Sequence, residues 1–224
     1  MTVNSCPIVV LIGGNGSNLQ AIIDHQKLGA HYHIAGVVSH RPDAYGLVRA
    51  SQANIPTTVV DHREFTQRES FDQQLYAAIT TYSPKLIVMA GFMRILSPWF
   101  IAQFPSQIVN IHPSLLPKWK GLNTHQRVLE AGESEHGVSV HFVTNELDGG
   151  PIIAQVKVMV QPGDTVDSLS KRTFIAEHWL YPQIIDWFAQ DRLKYLSNIV
   201  TLDDKTVGPQ GLNLVLPTEQ GIVS

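Results

Sequence analysis

The chain of 224 residues contains a single cysteine, Cys6. One thiol cannot close a disulfide within the chain, so a small secreted scaffold held by disulfides is excluded and a reducing compartment is expected. The apolar run PIVVLIG at residues 7–13 is too short to span a bilayer, and no basic residue precedes it. We therefore expect a cytoplasmic protein without a membrane partner.

An excess of positive charge is also missing. The chain has 16 Lys and Arg residues against 19 Asp and Glu residues, which gives a formal net charge of -3. Proteins that bind nucleic acid through its phosphates carry a basic surface, so this balance argues against a nucleic-acid partner. Hydrophobic residues make up 44% of the chain, as in an ordinary globular domain. An anionic small molecule would have to be bound by a local group of residues.

Apolar runs alternate with helical patterns over the first half of the chain. The runs typical of buried strands lie at residues 7–13, 33–39, 57–60, 85–91 and 107–113. The segments with helical spacing lie at residues 17–28, 43–54 and 63–82. This alternation predicts an α/β fold with a Rossmann-like, doubly wound, mostly parallel sheet that carries helices on both faces.

The pattern changes after residue 121. Residues 137–146 and 151–160 alternate with period two around Asp-Gly-Gly, which predicts a C-terminal antiparallel β pair, and residues 164–190 predict a long helix. No linker divides the chain, so we expect one domain over residues 1–202. Residues 203–224 are rich in turn formers, and we expect them to form a loosely attached tail.

The glycine-rich segment IGGNGSNLQ at residues 12–20 joins the first strand to the first helix. Leu19 stands where the dinucleotide fingerprint has its third glycine, the second strand ends without an acidic residue, and the P-loop lysine is missing, so NAD and nucleotide sites are disfavoured. A single phosphate monoester held by Gly16, Ser17 and Asn18 fits better. The alternative is a tight turn in which Asn18 caps the helix, and the segment alone does not decide between them.

Two polar residues stand at the end of an otherwise apolar strand. Asn110 and His112 are two residues apart, so their side chains share one face, and Pro113 holds His112 extended. They either bond neighbouring backbone or form a pair of donors for an oxyanion at the strand's carboxyl end. Asp148, in the LDGG loop, could support a protonated His112, or it could serve only as a turn residue.

Five segments together carry a resemblance. They are GNGSNLQ (14–20), AGFMRILSP (90–98), NIHPSLLP (110–117), HGVSVHFV (136–143) and ELDGGPI (146–152), in this order. Over about residues 7–200 the chain resembles the folate-dependent formyltransferases, and GNGSNLQ resembles their glycinamide ribonucleotide branch. The resemblance implies an enzyme of purine biosynthesis that transfers the formyl group of 10-formyltetrahydrofolate to the amine of 5-phosphoribosylglycinamide. It implies no metal ion and leaves monomer or homodimer open.

The resemblance also implies roles for individual residues. The catalytic residues are Asn110, His112 and Asp148. The residues expected to bind the phosphoribosylglycinamide are Gly16, Ser17, Asn18 and Glu177. The residues expected to bind the folate are Arg68, Met93, Arg94, Ile95, Leu96 and Asn110. The Leu116-Pro117 bond is expected to be cis. The sequence departs from some relatives at Asn123, where they carry histidine, so Asn123 is given no catalytic role.

Two alternative functions remain at this stage. A 10-formyltetrahydrofolate hydrolase would use the same catalytic trio with water as acceptor, although such relatives usually carry an additional N-terminal domain. A non-catalytic phosphate-binding module would need Gly16, Ser17 and Asn18 but not the trio.

Overall fold

The computed structural model describes residues 5–217. Its centre is an eight-stranded sheet in the order β11-β7-β6-β5-β4-β1-β2-β3. The strands of this sheet are β1 Cys6–Ile12, β2 Tyr32–Ser39, β3 Thr57–Val59, β4 Leu86–Met89, β5 Ile108–His112, β6 Glu135–Phe142, β7 Ile152–Met159 and β11 Leu212–Leu214. The helices are α1 Ser17–Lys27, α2 Tyr45–Gln52, α3 Arg68–Thr80, α4 Pro98–Gln103, α5 Thr124–Glu130 and α6 Val166–Ala189.

The sheet is buried on both faces, which explains its continuous apolar runs. Along β1, Ile8 and Val10 face a core that is completed by α1, α2 and α6, whereas Val9 and Leu11 face a second core that is completed by α3 and α4. β1, β2, β3, β4 and β5 are mutually parallel. The prediction of a mostly parallel sheet with helices on both faces is confirmed.

The strand direction reverses at β6. The predicted antiparallel pair is formed by β6 and β7, and β6 is also antiparallel to β5. In this register Asn110 lies opposite His141 and His112 lies opposite Ser139. The reversal therefore brings residues of β6 beside the polar end of β5.

The prediction of one helix over residues 63–82 is wrong. A short 3-10 turn at His62–Glu64 is capped by the Asp61 side chain, which accepts a hydrogen bond from the backbone N–H of Arg63. Phe65 and Gln67 then have extended backbone, and α3 begins only at Arg68. The Phe65 ring packs against Phe71, six residues later, at 5.8 Å, and this contact spans the extended residues that precede α3.

The C-terminal region carries a second, smaller sheet. β8 Leu193–Leu196, β9 Ile199–Leu202 and β10 Lys205–Thr206 form three antiparallel strands, and β11 then pairs in parallel with β7. The loosely attached tail after residue 202 stays a prediction, and residues 218–224 lie outside the described part. None of the helices within residues 5–217 combines the length and apolar character of a membrane span.

Candidate active site

The candidate site lies at one edge of the parallel sheet. β1, β4 and β5 are adjacent and parallel, so the segments that follow them emerge at the same edge, where α/β proteins place their ligands. The glycine-rich loop follows β1, residues 92–97 follow β4, and His112 ends β5. Three segments that are distant in the sequence are thus brought together.

The glycine-rich loop has a conformation that requires glycine. Gly16 has a φ of +75°, and a Cβ added there would lie 2.6 Å from the Cα of Gly46. The backbone N–H of Gly46 donates to the Gly14 carbonyl at 3.1 Å. Arg49 donates to the carbonyl and to the side-chain oxygen of Asn15, both at 2.9 Å. The loop is therefore fixed by α2, and it places the first-turn N–H groups of α1 where they can bind an anion.

Two residues predicted to bind the acceptor substrate contact each other. Asn18 does not cap α1; its Nδ2 donates to Oε2 of Glu177 at 2.6 Å, and both residues are buried. Burial raises the pKa of Glu177 to about 7, and the hydrogen bond from Asn18 opposes that rise. The Oδ1 atom of Asn18 is buried and has no partner within the described residues. This oxygen is therefore a hydrogen-bond acceptor that the described residues leave without a donor.

Asn110 is oriented by His141. The Nδ1 atom of His141 lies 2.9 Å from the Phe142 carbonyl, which can only accept, so Nδ1 carries the proton. Nε2 of His141 then accepts from Nδ2 of Asn110 at 3.2 Å. Burial lowers the pKa of His141 and so favours the neutral ring. One N–H of the Asn110 amide is thus taken, and its second N–H remains to be directed at a ligand.

His112 and Asp148 meet in the structure. Nδ1 of His112 lies 3.5 Å from Oδ2 of Asp148, and the pair is ionic when the imidazole is protonated. Nε2 of His112 donates to the Trp119 carbonyl at 2.9 Å. Asp148 has a φ of +46°, and its Oδ2 accepts from the backbone N–H of Gly121 at 2.9 Å. Asp148 of the LDGG loop and His112 at the end of β5 therefore belong to one cluster.

The residues predicted to bind folate are only partly brought together. A cavity of about 60 Å³ is lined by Arg94, Ile95, Leu96, Asn110, His141, Asp148 and neighbouring residues. The Arg94 guanidinium lies over the Phe71 ring at 5.7 Å. Met93 is 69% exposed and does not line this cavity, and Arg68 is exposed at the start of α3. The cavity thus joins the segment after β4 to two of the three predicted catalytic residues.

The segment that follows β5 contains a cis peptide bond and a histidine that contacts β6. The Leu116-Pro117 bond is cis, as expected. Asn123, with a φ of +56°, precedes α5, and Nδ1 of His125 lies 2.8 Å from Nε2 of His136. No group of three or more His, Cys, Asp or Glu side chains arranged to hold a metal ion occurs within residues 5–217.

Sequence reasoning missed three contributors to this cluster. His141 orients Asn110, the Trp119 carbonyl holds His112, and the Gly121 N–H holds Asp148. The alternation of β6 predicts that His141 shares a face with Ser139, but pairing with Asn110 depends on the register between β5 and β6. The two backbone contacts carry no signal in the side-chain sequence.

The chain is similar in sequence and in structure to known formyltransferases. Residues 6–185 match the protein family described as formyl transferase. The chain is 51% identical over 205 residues to the phosphoribosylglycinamide formyltransferase of Escherichia coli, covering 91% of this chain and 97% of that protein. It is 46% identical to the enzyme of the same name from Haemophilus influenzae, with the same coverage. The structure of the phosphoribosylglycinamide formyltransferase of Coxiella burnetii matches with a TM-score of 0.90 and 51% identity, covering 93% of this chain and 99% of that one.

Proposed function

The chain belongs to the formyl transferase family, and we propose that it transfers the formyl group of 10-formyltetrahydrofolate to the amine of 5-phosphoribosylglycinamide, a step of purine biosynthesis. The observation that carries the proposal is the meeting of a glycine loop suited to one phosphate with the Asn110, His112 and Asp148 cluster at one sheet edge. The similarity to two enzymes named for this reaction supports it. We keep the expectations of a cytoplasmic location and of a monomer or homodimer as predictions.

The reaction requires a nucleophile and a good electrophile but no covalent enzyme intermediate. The folate supplies the formyl group. The acceptor's amine nitrogen bonds to the formyl carbon, the bond from that carbon to the folate nitrogen breaks, and one proton passes from the amine to the departing nitrogen. Negative charge develops on the formyl oxygen as the amine attacks. The protein's task is to hold the reactants and to stabilise that charge.

Asn110 and His112 are the donors proposed for this oxyanion. The second N–H of Asn110 is not used by His141, and the Nδ1–H of protonated His112 is the ring N–H that the backbone does not take. One such donor commonly contributes about 3 kcal/mol to transition-state stabilisation. Asp148, at 3.5 Å from Nδ1 of His112, stabilises the positive charge that His112 must carry and is placed to guide the transferred proton.

The acceptor is proposed to bind between α1 and α6. The N–H groups at the start of α1, reached through Gly16, Ser17 and Asn18, suit its phosphate. The unpartnered Oδ1 of Asn18 and the buried carboxyl of Glu177 suit its ribose hydroxyls, because buried acceptors are stabilised by a donor from the ligand. The phosphate and the ribose of the acceptor would thus be held by residues from opposite ends of the chain.

The folate is proposed to bind beside Arg94, Ile95 and Leu96. The cavity there measures about 60 Å³, whereas pockets for ligands of this size commonly measure about 300 Å³ or more. The folate would therefore extend beyond this cavity, past residues 144–147 that line it. The Lys120–Glu146 ion pair ties this loop, with the Lys120 side chain partly buried and the Glu146 side chain exposed.

The test is an absorbance assay of 10-formyltetrahydrofolate consumption by the purified protein, with and without 5-phosphoribosylglycinamide. We expect turnover only with the acceptor, together with formylated product. Equal turnover without the acceptor would instead establish a hydrolase, which gives the Asn18–Glu177 pair no role. Binding of inorganic phosphate without any binding of folate would establish the phosphate-binding module.

A further inference from the structure

A three-residue segment of backbone touches both groups of the catalytic ion pair. The Trp119 carbonyl accepts from Nε2 of His112 at 2.9 Å, and two residues later the Gly121 N–H donates to Oδ2 of Asp148 at 2.9 Å. We call residues 119–121 the backbone clamp. One short stretch of main chain thus bonds the far nitrogen of the imidazole and the carboxylate oxygen that faces it, so its conformation sets how the two groups meet.

The backbone clamp has a conformation that needs support. Trp119 has a φ of +60° and Gly121 a φ of +79°. The left-handed region costs a bulky side chain about 1–2 kcal/mol, so Trp119 occupies it only because surrounding contacts hold it there. Without such contacts the segment would relax, and the Trp119 carbonyl would turn away from His112.

Arg127 of α5 supplies those contacts. Its Nη1 donates to the Lys120 carbonyl at 2.7 Å and to the Leu122 carbonyl at 3.3 Å. Its guanidinium lies over the Trp119 ring, 5.2 Å from the centroid. A planar cation with several donors is suited to stack on the ring and bond carbonyls at the same time, which a lysine is not. Arg127 thus contacts the Trp119 ring and the Lys120 carbonyl within the backbone clamp, and the Leu122 carbonyl just after it.

We propose that Arg127 is a positioning residue for the reaction, acting through the backbone clamp on His112 and Asp148. It does not line the cavity beside Arg94, and its proposed action is through the backbone clamp rather than through a substrate contact. The expected effect on catalysis rests on the proposed function. The expected effect of Arg127 on the order of the backbone clamp does not, because it is measured without substrates.

The decisive comparison uses Arg127→Ala, Arg127→Lys and a matched control, Arg192→Ala. Arg192 also lies over a tryptophan, Trp187 at 5.9 Å, and bonds Asp203, but it stands before β8 in the small sheet. The control therefore removes an arginine–tryptophan contact without touching the site. Thermal unfolding of each variant checks that the fold is kept.

Arg127→Ala is expected to lower kcat by about 10-fold to 100-fold, because small displacements of catalytic groups have effects of that size. The KM for each substrate should stay within about 2-fold, because no substrate contact is removed. Arg127→Lys should recover part of kcat, since its ammonium still donates to one carbonyl. In the ligand-free protein, hydrogen exchange at the Gly121 amide should rise in Arg127→Ala but not in Arg192→Ala, while the amides of β1 stay protected.

Other outcomes overturn the proposal. They are a kcat for Arg127→Ala within about 2-fold of the wild type, a rise in KM at unchanged kcat, or unchanged exchange at Gly121. A wild-type protein without transferase turnover would refute the proposed function instead. The exchange measurement would then still decide whether Arg127 orders the backbone clamp.

Discussion

Asn18 and Glu177 stand 159 residues apart in the chain and share a side-chain hydrogen bond of 2.6 Å. The bond joins the first helix to the last, which pack against each other. It holds a carboxyl group in a buried position where burial raises its pKa to about 7. The residue that the proposed function assigns to the acceptor is therefore also a source of pH-dependent stability.

Glu177→Gln should make the protein less sensitive to rising pH. The folded protein raises the pKa of Glu177 from an ordinary 4.5 to about 7, so its favourable contribution is complete below about pH 4.5 and is lost as the pH rises through 7. The corresponding change is about 3 kcal/mol in the free energy of unfolding. The amide side chain of the variant remains neutral at every pH, so this loss does not occur in it.

Urea denaturation at pH 5 and pH 8 measures this effect. The free energy of unfolding of Glu177→Gln, relative to that of the wild type, should be higher at pH 8 than at pH 5. Asp167→Asn, which changes an exposed carboxylate at the start of the same helix, is the control. Its free energy of unfolding relative to the wild type should be nearly the same at both pH values. Parallel pH profiles for wild type and Glu177→Gln would contradict the buried, proton-binding carboxyl.

His112→Ala and Asp148→Asn should each lower turnover while the fold is kept. Loss of one donor to an oxyanion lowers kcat by roughly 100-fold to 1,000-fold, and Asp148→Asn removes the charge that supports His112 while it keeps an acceptor for the Gly121 N–H. The measurement is kcat for formyl transfer beside a circular dichroism spectrum. His33→Ala, on an exposed position of β2, is the control. A variant with near-full activity would remove that residue from the mechanism.

Gly16→Ala should weaken acceptor binding more than folate binding. The new Cβ would lie 2.6 Å from the Cα of Gly46, in a backbone region with φ of +75°, so the loop must shift. The left-handed conformation alone costs alanine about 1 kcal/mol. Titrations of each substrate separate the two effects. Gly208→Ala, where a Cβ meets nothing within 4 Å, is the control, and equal weakening of both substrates by Gly16→Ala would argue against a dedicated phosphate loop.

Ser139→Ala should destabilise the loop that follows the catalytic strand. The buried Ser139 hydroxyl donates to the Ser114 carbonyl at 2.6 Å and accepts from the Leu116 N–H at 3.0 Å and from Gln155 at 2.7 Å. Leaving such buried groups unpaired costs about 1–3 kcal/mol of unfolding free energy. Urea denaturation at pH 7 measures it, with the exposed Ser51→Ala as control. Equal stability of the two variants would show that the network contributes nothing.

The buried sheet and the polar strand end could be predicted from the sequence because both are local signals. Apolar runs such as residues 7–13 specify strands covered on both faces, and the spacing of Asn110 and His112 specifies a shared face. The start of α3 could not be placed, because the helical spacing over residues 63–82 runs through the 3-10 turn and the extended Phe65 and Gln67. His141 and the backbone clamp could not be predicted either, since their contacts depend on strand register and on main-chain atoms.

The strand order has a consequence for how the chain folds during its translation. From β4 onward the strands β5, β6, β7 and β11 are added to one edge of the main sheet in the order in which they occur in the chain. When each of these strands leaves the ribosome, the strand with which it pairs has therefore already been synthesised. The catalytic residues of β5 and of the loop after β6 are thus synthesised before α6, whereas the Asn18–Glu177 bond must wait for that helix. Because α6 also completes the core against β4 and β5, where the Tyr181 hydroxyl contacts the Met89 and Val109 carbonyls, a nascent chain needs this last helix for both parts of the site.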